Sequence, residues 1–259
     1  MRFKLLKNIK VGLLSMLLPL FAFAEVHANT KDVHNIIDIC TSSEHIMRDY
    51  ALIGMRITYS NPQKDLEKTQ KHLNEEFKDL EKHKVSAEEL ILHKEWSSIE
   101  EELKQKPTKE GTLTLHHHID AFAQHCEELA EHLAKDTKNP AEHYVVMITN
   151  LNLNVQELAE IYIMKSWDSI GDEEYFKKVK EIFKNVLKSY DELQTADSKF
   201  VSDKVKGHLK IMKKHFMMFE FMAESHSGRY IPLLITKKAE KISEEVEKIL
   251  KEEESEVEK

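Results

Sequence analysis

The chain has 259 residues, with 38 Lys and Arg against 46 Asp and Glu, a formal charge of −8. Its 6 Gly and 5 Pro make up about 4% of the residues, against an average near 12%. So little turn chemistry excludes a β-sandwich, a barrel or a collagen, and neither GxGxxG nor GxxxxGK(S/T) occurs. Charged residues at 32% beside 41% apolar residues point instead to long amphipathic helices.

Residues 1–24 carry a basic start (Arg2, Lys4, Lys7, Lys10), an apolar run from Val11 to Phe23, and Ala22-Phe23-Ala24 before Glu25. That is the pattern of a Sec signal peptide cleaved after Ala24. The run is shorter than the ~20 residues a membrane span needs. No Cys follows it closely, which argues against a lipoprotein. The expected mature chain is a soluble exported protein, periplasmic and not integral to a membrane. Removing four basic residues and no acidic ones brings its charge to −12. Such a surface repels phosphate backbones, so no nucleic-acid partner is expected.

Eight helices follow in chain order. Ile36, Cys40, Met47, Tyr50, Gly54 and Ile57 recur at 3–4 spacing, with a gap at Ser43, and predict a helix over 32–59. Asn61-Pro62 starts the second, with Leu66, Leu73, Phe77 and Leu80 as its seam. Ser86 with Glu89 forms a capping box for the third, which carries Leu90, Trp96, Ile99 and Leu103 and stops before Pro107. Gly111 opens the fourth, with Ile119, Phe122, Cys126, Leu129 and Leu133.

The pattern then restarts. Asn139-Pro140-Ala141-Glu142 forms a capping box, with Pro at the first turn, for a fifth helix that reaches Trp167. Gly171-Asp172 begins the sixth, with Phe176, Val179, Phe183, Val186, Tyr190 and Leu193. The seventh covers 199–225 with Val201, Val205, Leu209, Met212, Phe216 and Phe219, and Gly228 breaks it. The eighth runs from Pro232 with Ile235, Ile242, Val246 and Ile249, and its seam ends at Leu250. Tyr50-Ala51-Leu52-Ile53 aligns with Tyr162-Ile163-Met164-Lys165 at an offset of 112. The expected fold is therefore all-α, two tandem antiparallel modules of the four-helix type over 25–136 and 137–250, with a frayed charged tail over 251–259.

The first and fifth helices resemble the type IV pilus methyl-accepting chemotaxis transducer N-terminal (PilJ-type) domain, a relative of the NarX nitrate-sensor input domain. That family's units open on a helix like Ala-Gly-Arg-Gln-Arg-Met-Leu-Ser-Gln-Arg-Met-Ala-Lys-x-Tyr-Leu-Leu. In the fifth helix Gln156, Ala159 and Tyr162 match in place, with Leu153 and Leu158 for Met. In the first, Ser43, Arg48 (for Lys), Tyr50 and Leu52 match. The family's three arginines are replaced by Asp38, Cys40 and His45 in one unit and by Asn150, Asn152 and Glu157 in the other. In the sensor relatives such arginines hold an oxyanion, since a guanidinium meets it bidentately. The resemblance implies a sensor-like module that acts through a signalling or envelope partner. Its ligand stripe corresponds here to Glu44, His45 and Arg48 in the first helix and Asn150, Asn152 and Gln156 in the fifth.

Three other groups invite chemistry. The 15 histidines include His116-His117-His118, His125 and His132. His118, His125 and His132 are seven residues apart, ~10.5 Å along a helix, so no two of them share an ion. A metal at His117, His118 or His125 would need a ligand from another helix, with His45 or Glu44 as candidates, and a solvated polar flank is the plainer reading. His208, Met212, His215, Met217, Met218 and Met222 suggest axial haem ligands, or equally an adaptable methionine-filled core. Cys40 and Cys126 sit at matching depths of two antiparallel helices, compatible with a disulfide in an oxidising compartment or with two packed thiols. No Ser-centred elbow or HExxH occurs. The expectation is a non-catalytic module binding a small molecule or an envelope protein, with no obligatory cofactor; a metal or haem carrier and a structural adaptor are the alternatives.

Overall fold

A computed structural model describes residues 30–58, 60–82, 86–224 and 230–257, with side chains between 31 and 250 within those ranges. The signal segment with Ala24, the break at Gly228 and the tail's side chains lie outside the described residues. Among the described residues are eight helices and no strand: α1 (Thr30–Gly54), α2 (Pro62–Leu80), α3 (Ala87–Leu103), α4 (Lys109–Asp136), α5 (Pro140–Ser166), α6 (Asp172–Thr195), α7 (Asp203–Ala223) and α8 (Pro232–Val257). None is long and apolar enough to cross a membrane.

Local chemistry starts most of them. Ser86 accepts from the Glu89 amide while the Glu89 carboxylate accepts from the Ser86 amide, the expected capping box. Thr108 accepts from Gly111 and Ser202 from Val205, whereas the box expected at Asn139 does not close: the Asn139 side chain accepts from the Ala141 amide and donates to the Glu142 carboxylate at 3.2 Å. The fourth helix thus begins at Lys109, ahead of Gly111, and the seventh at Asp203, later than its expected start at 199. Asn61 departs from its expected role: it is left-handed (φ 50°) and its side chain makes no cap bond. Pro62 alone provides the start there.

The first helix ends five residues before its expected limit because the chain turns left-handed. Arg56 has φ 58°, and the Ile57 amide donates to the Leu52 carbonyl at 3.0 Å. α5 ends identically: Asp168 has φ 58°, and the Ser169 amide donates to the Met164 carbonyl at 2.9 Å. Both are Schellman closures. They lie 112 residues apart, the offset at which Tyr50 aligns with Tyr162, and backbone geometry here repeats what side-chain spacing suggested.

Each half is an up-down-up-down bundle. In the first, Asp38 meets His72, Asn74 meets Glu100 and Glu102 meets His118, so α1 to α4 alternate in direction. In the second, Glu157 meets Lys178, Tyr175 meets the Ala223 carbonyl and His208 meets Glu245. α1 packs on α2 and α4, and α5 packs on α6 and α8, which is the same arrangement twice. The two bundles join through α5, which also packs on α1 and α4. α1 and α5 run parallel: His34 lies 4.0 Å from Glu142 and Arg48 3.0 Å from Gln156, both pairs 108 residues apart.

This position explains the character of α5. It is contacted on all sides by α1, α4, α6 and α8, so it is apolar almost all round. Its exceptions, Glu142, Thr149, Asn152, Gln156 and Glu160, are buried polar groups. Where the ends of α1 and α5 meet, a Cβ on Gly54 would stand 2.1 Å from Cη2 of Trp167, so that approach needs glycine.

The predicted seams are buried, apart from Gly54, Ile57, Leu133, Phe176 and Leu250, which are half-buried, and Leu90, which faces out. Leu90 is 58% exposed and Leu92 takes its place in the core at 2%. The wholly buried Trp96 orients α3, its Nε1 donating to Asn74 at 3.2 Å and its ring 5.8 Å from that of Phe122. Leu92, Ile99 and Leu103 share that face; Leu90 does not. The last helix continues through the expected fray point to Val257.

Candidate functional site

The junction of the two repeats carries polar side chains on both of its sides. On one side, α1, α2, α5 and α8 enclose an open groove of about 810 Å³. Four of the six residues marked as the ligand stripe line it: His45, Arg48, Asn152 and Gln156. Glu44 does not; it points into the opposite side of α1. Asn150 lines a separate hollow of about 550 Å³ between α4, α5 and α6, with Glu131, His143 and Glu192.

The groove floor is a connected hydrogen-bond network. Arg48 is 2% exposed, and its Nε and Nη2 both reach Asp49 Oδ1 at 3.3 Å, while Nη1 donates to Gln156 Oε1 at 3.0 Å. Gln156 Nε2 donates to Ser243 at 2.8 Å, and the Ser243 hydroxyl donates to Asn152 Oδ1 at 2.7 Å. Three helices are thereby tied at one point. Burial raises the Asp49 carboxyl to about 6 despite Arg48. His45, 3.5 Å from Asp49, is held well below its usual range by desolvation and by the charges of Arg48 and Lys68.

The rim has the opposite sign to Arg48. Asp38, Asp65, Glu76, Glu240, Glu244 and Glu247 surround the groove, with Lys68 as the only other cation among its Lys and Arg residues. The field within the groove is therefore negative. Arg48 spends both edges of its fork on Asp49 and Gln156, leaving no free bidentate face for an oxyanion.

On the other side of the junction lies a buried ionisable cluster that sequence reasoning passed over. Glu44 of α1 and Glu160 of α5 share a hydrogen bond, and His116 Nδ1 of α4 lies 2.7 Å from Glu160 Oε1. All three are at most 2% exposed. Desolvation raises both carboxyls, Glu44 well above its usual range and Glu160 to about 8, so Glu160 is held in the acid form at neutral pH. Next to them Lys178 of α6 binds Asp120 at 2.6 Å and Glu157 at 3.1 Å. Glu157 and Glu160 interrupt the apolar run of α5, and His116 precedes the seam residue Ile119 by one turn; these were the legible signals.

The other candidates disperse. His118 pairs with Glu102 at 2.7 Å and His125 with Glu95 at 3.1 Å, so those two and His117 share no common point. Neither approaches His45 or Glu44. Met212 is core, whereas Met217 and Met218 are 57% and 46% exposed and His208 is held by Glu245 at 2.9 Å, so the His and Met group on α7 does not converge. Cys40 and Cys126 do meet between α1 and α4, as free buried thiols. The Cys40 Sγ donates to the Ile36 carbonyl at 3.1 Å, and burial together with Cys126 raises its pKa well above the usual thiol range.

Comparison of the chain with protein-family models, with curated proteins and with solved structures finds no match.

Proposed function

We propose that this chain is a non-catalytic, exported binding module whose ligand site is the groove between α1, α2, α5 and α8, and that it acts through a protein partner in the cell envelope. The observation that carries the reading is the groove floor. Arg48, Asn152, Gln156 and Ser243 form a hydrogen-bonded polar base at the seam of two repeats, open above and rimmed by carboxylates. A ligand seated there contacts both modules and biases how they pack. The likeness of Gln156, Ala159 and Tyr162 to the PilJ-type helix supports sensor-like descent, and the basic-apolar-small N-terminus supports export.

The rim charge selects the ligand class. An oxyanion meets a negative rim and an occupied guanidinium, so the favoured ligand is a small amine-bearing cation able to hydrogen-bond the floor. Thermal unfolding with spermidine, putrescine and nitrate tests this. Spermidine is expected to raise the midpoint in a saturable way, nitrate to leave it unchanged, and the rim variant Glu240→Gln/Glu244→Gln to lose most of the shift. No shift with either amine, an equal shift with nitrate, or an unaltered shift in the variant overturns the reading.

A further inference from the structure

His116, His117 and Glu174 come together where α4 faces α6. A ring nitrogen of each histidine and a carboxylate oxygen of Glu174 all lie within 4.8 Å of one another. Residues 116 and 117 project about 100° apart on a helix, yet their ring centroids are only 5.5 Å apart, so both rings lean to the same seam. His117 Nε2 already sits 2.8 Å from Glu174 Oε1.

The second observation concerns His116. It is 1% exposed, its Nδ1 is engaged by Glu160 at 2.7 Å, and its Nε2 is buried with no hydrogen-bond partner. A buried ring nitrogen left unpaired is costly. With the proton on Nδ1, donated to Glu160, the Nε2 lone pair is free. A histidine whose far nitrogen is held by a carboxyl oxygen is the arrangement that fixes the tautomer and orients a metal ligand.

We propose that His116, His117 and Glu174 form a binding site for a zinc-type divalent cation, with Glu160 as the residue that positions His116. Two imidazoles and a carboxylate are a zinc donor set, with a fourth position left to water. Ligands at 2.0–2.1 Å in a tetrahedron are about 3.4 Å apart, so the His117–Glu174 pair at 2.8 Å opens slightly and the other separations, at most 4.8 Å, close by up to about 1.4 Å. Entry is open, since His117 and Glu174 are 53% and 37% exposed. Among the described residues one other group has comparable spacing, Asp38, His72 and Glu76 at the groove rim. There His72 Nε2 is already bonded to Asp38 at 2.7 Å, and His72 and Asp38 are about half exposed, so no buried donor is left over.

The test uses full-length, tag-free protein stripped with EDTA. Zn(II) is titrated against a chromophoric chelator, and Co(II) substitution is followed by its visible spectrum. One ion per chain is expected, with a four-coordinate Co(II) spectrum. His117→Ala and Glu174→Gln, both at accessible positions that leave the core intact, should each weaken binding by about 100-fold or more, while His118→Ala and His72→Ala should not. For Glu160, the Gln variant keeps an acceptor for Nδ1 and should stay within about 10-fold, whereas Leu removes it and should cost about 100-fold. Absence of stoichiometric binding, binding indifferent to His117→Ala, or binding lost with His72→Ala overturns the site. Equal affinities for the Gln and Leu variants overturn the role of Glu160.

Discussion

The buried carboxyl of Glu160 makes stability depend on pH in a direction opposite to that of a salt-bridged acid. Its pKa rises from 4.5 to about 8 because burial penalises the charged form. Between those values the folded protein keeps a proton that the unfolded chain releases. The contribution of this group therefore falls as pH rises through the window, and the whole penalty stands above pH 8. At about 1.4 kcal/mol per unit, the shift corresponds to on the order of 5 kcal/mol. That figure is a net one: the hydrogen bond from Glu44 and the charge of Lys178 offset part of the burial penalty, while Glu157 and Asp120 add to it. A few kcal/mol is the expected observable. Glu160→Gln preserves shape and an acceptor for His116 but cannot ionise. Urea unfolding of the two proteins should give equal stabilities within ~1 kcal/mol near pH 5, and the variant should lead by a few kcal/mol near pH 9. Asp49 and Glu127, raised to about 6 and about 7, shift both proteins alike, as does His45 with the opposite sign, so the difference reports Glu160 together with its hydrogen-bonded partner Glu44. Parallel pH profiles for wild type and variant would refute the burial argument.

Two further outcomes follow from packing. Gly54→Ala forces a Cβ to 2.1 Å from the Trp167 ring and should cost about 1–3 kcal/mol in urea unfolding, with Trp167→Leu in the same chain recovering part of it; wild-type stability for the single variant would mean that α1 and α5 do not approach as described. Cys40 and Cys126, 2% and 0% exposed, should be inert to a thiol reagent at pH 8 in the native protein and both react once it is unfolded under non-reducing conditions, whereas no reaction after unfolding would reveal a bridge.

Much of this architecture is written in interactions that span three or four residues. The Ser86–Glu89 box, Pro62 and Pro140 at first turns, and the seams of α2, α6, α7 and α8 all follow from helical periodicity and end chemistry, and they are visible in the chain itself. The repeat was also legible at Tyr50 and Tyr162, although its firmest mark, the paired left-handed residues Arg56 and Asp168, was not. Arginine rarely adopts that conformation, and aspartate, though enriched there, does so at only a small share of its positions, so neither identity announces it.

What the sequence could not settle is which faces meet. A helix with polar residues on several sides does not declare which of them another helix will cover. The parallel packing of α1 on α5 placed Arg48 on Gln156 and turned a presumed ligand arginine into a buried tie between modules. The same packing sent Glu44 to the far side, against Glu160 and His116, and left Asn150 in another hollow. Helix positions are set by local chemistry; the groove, its negative rim and the buried acid pair exist only because two similar bundles share α5, and that sharing is decided by long-range burial of apolar surface.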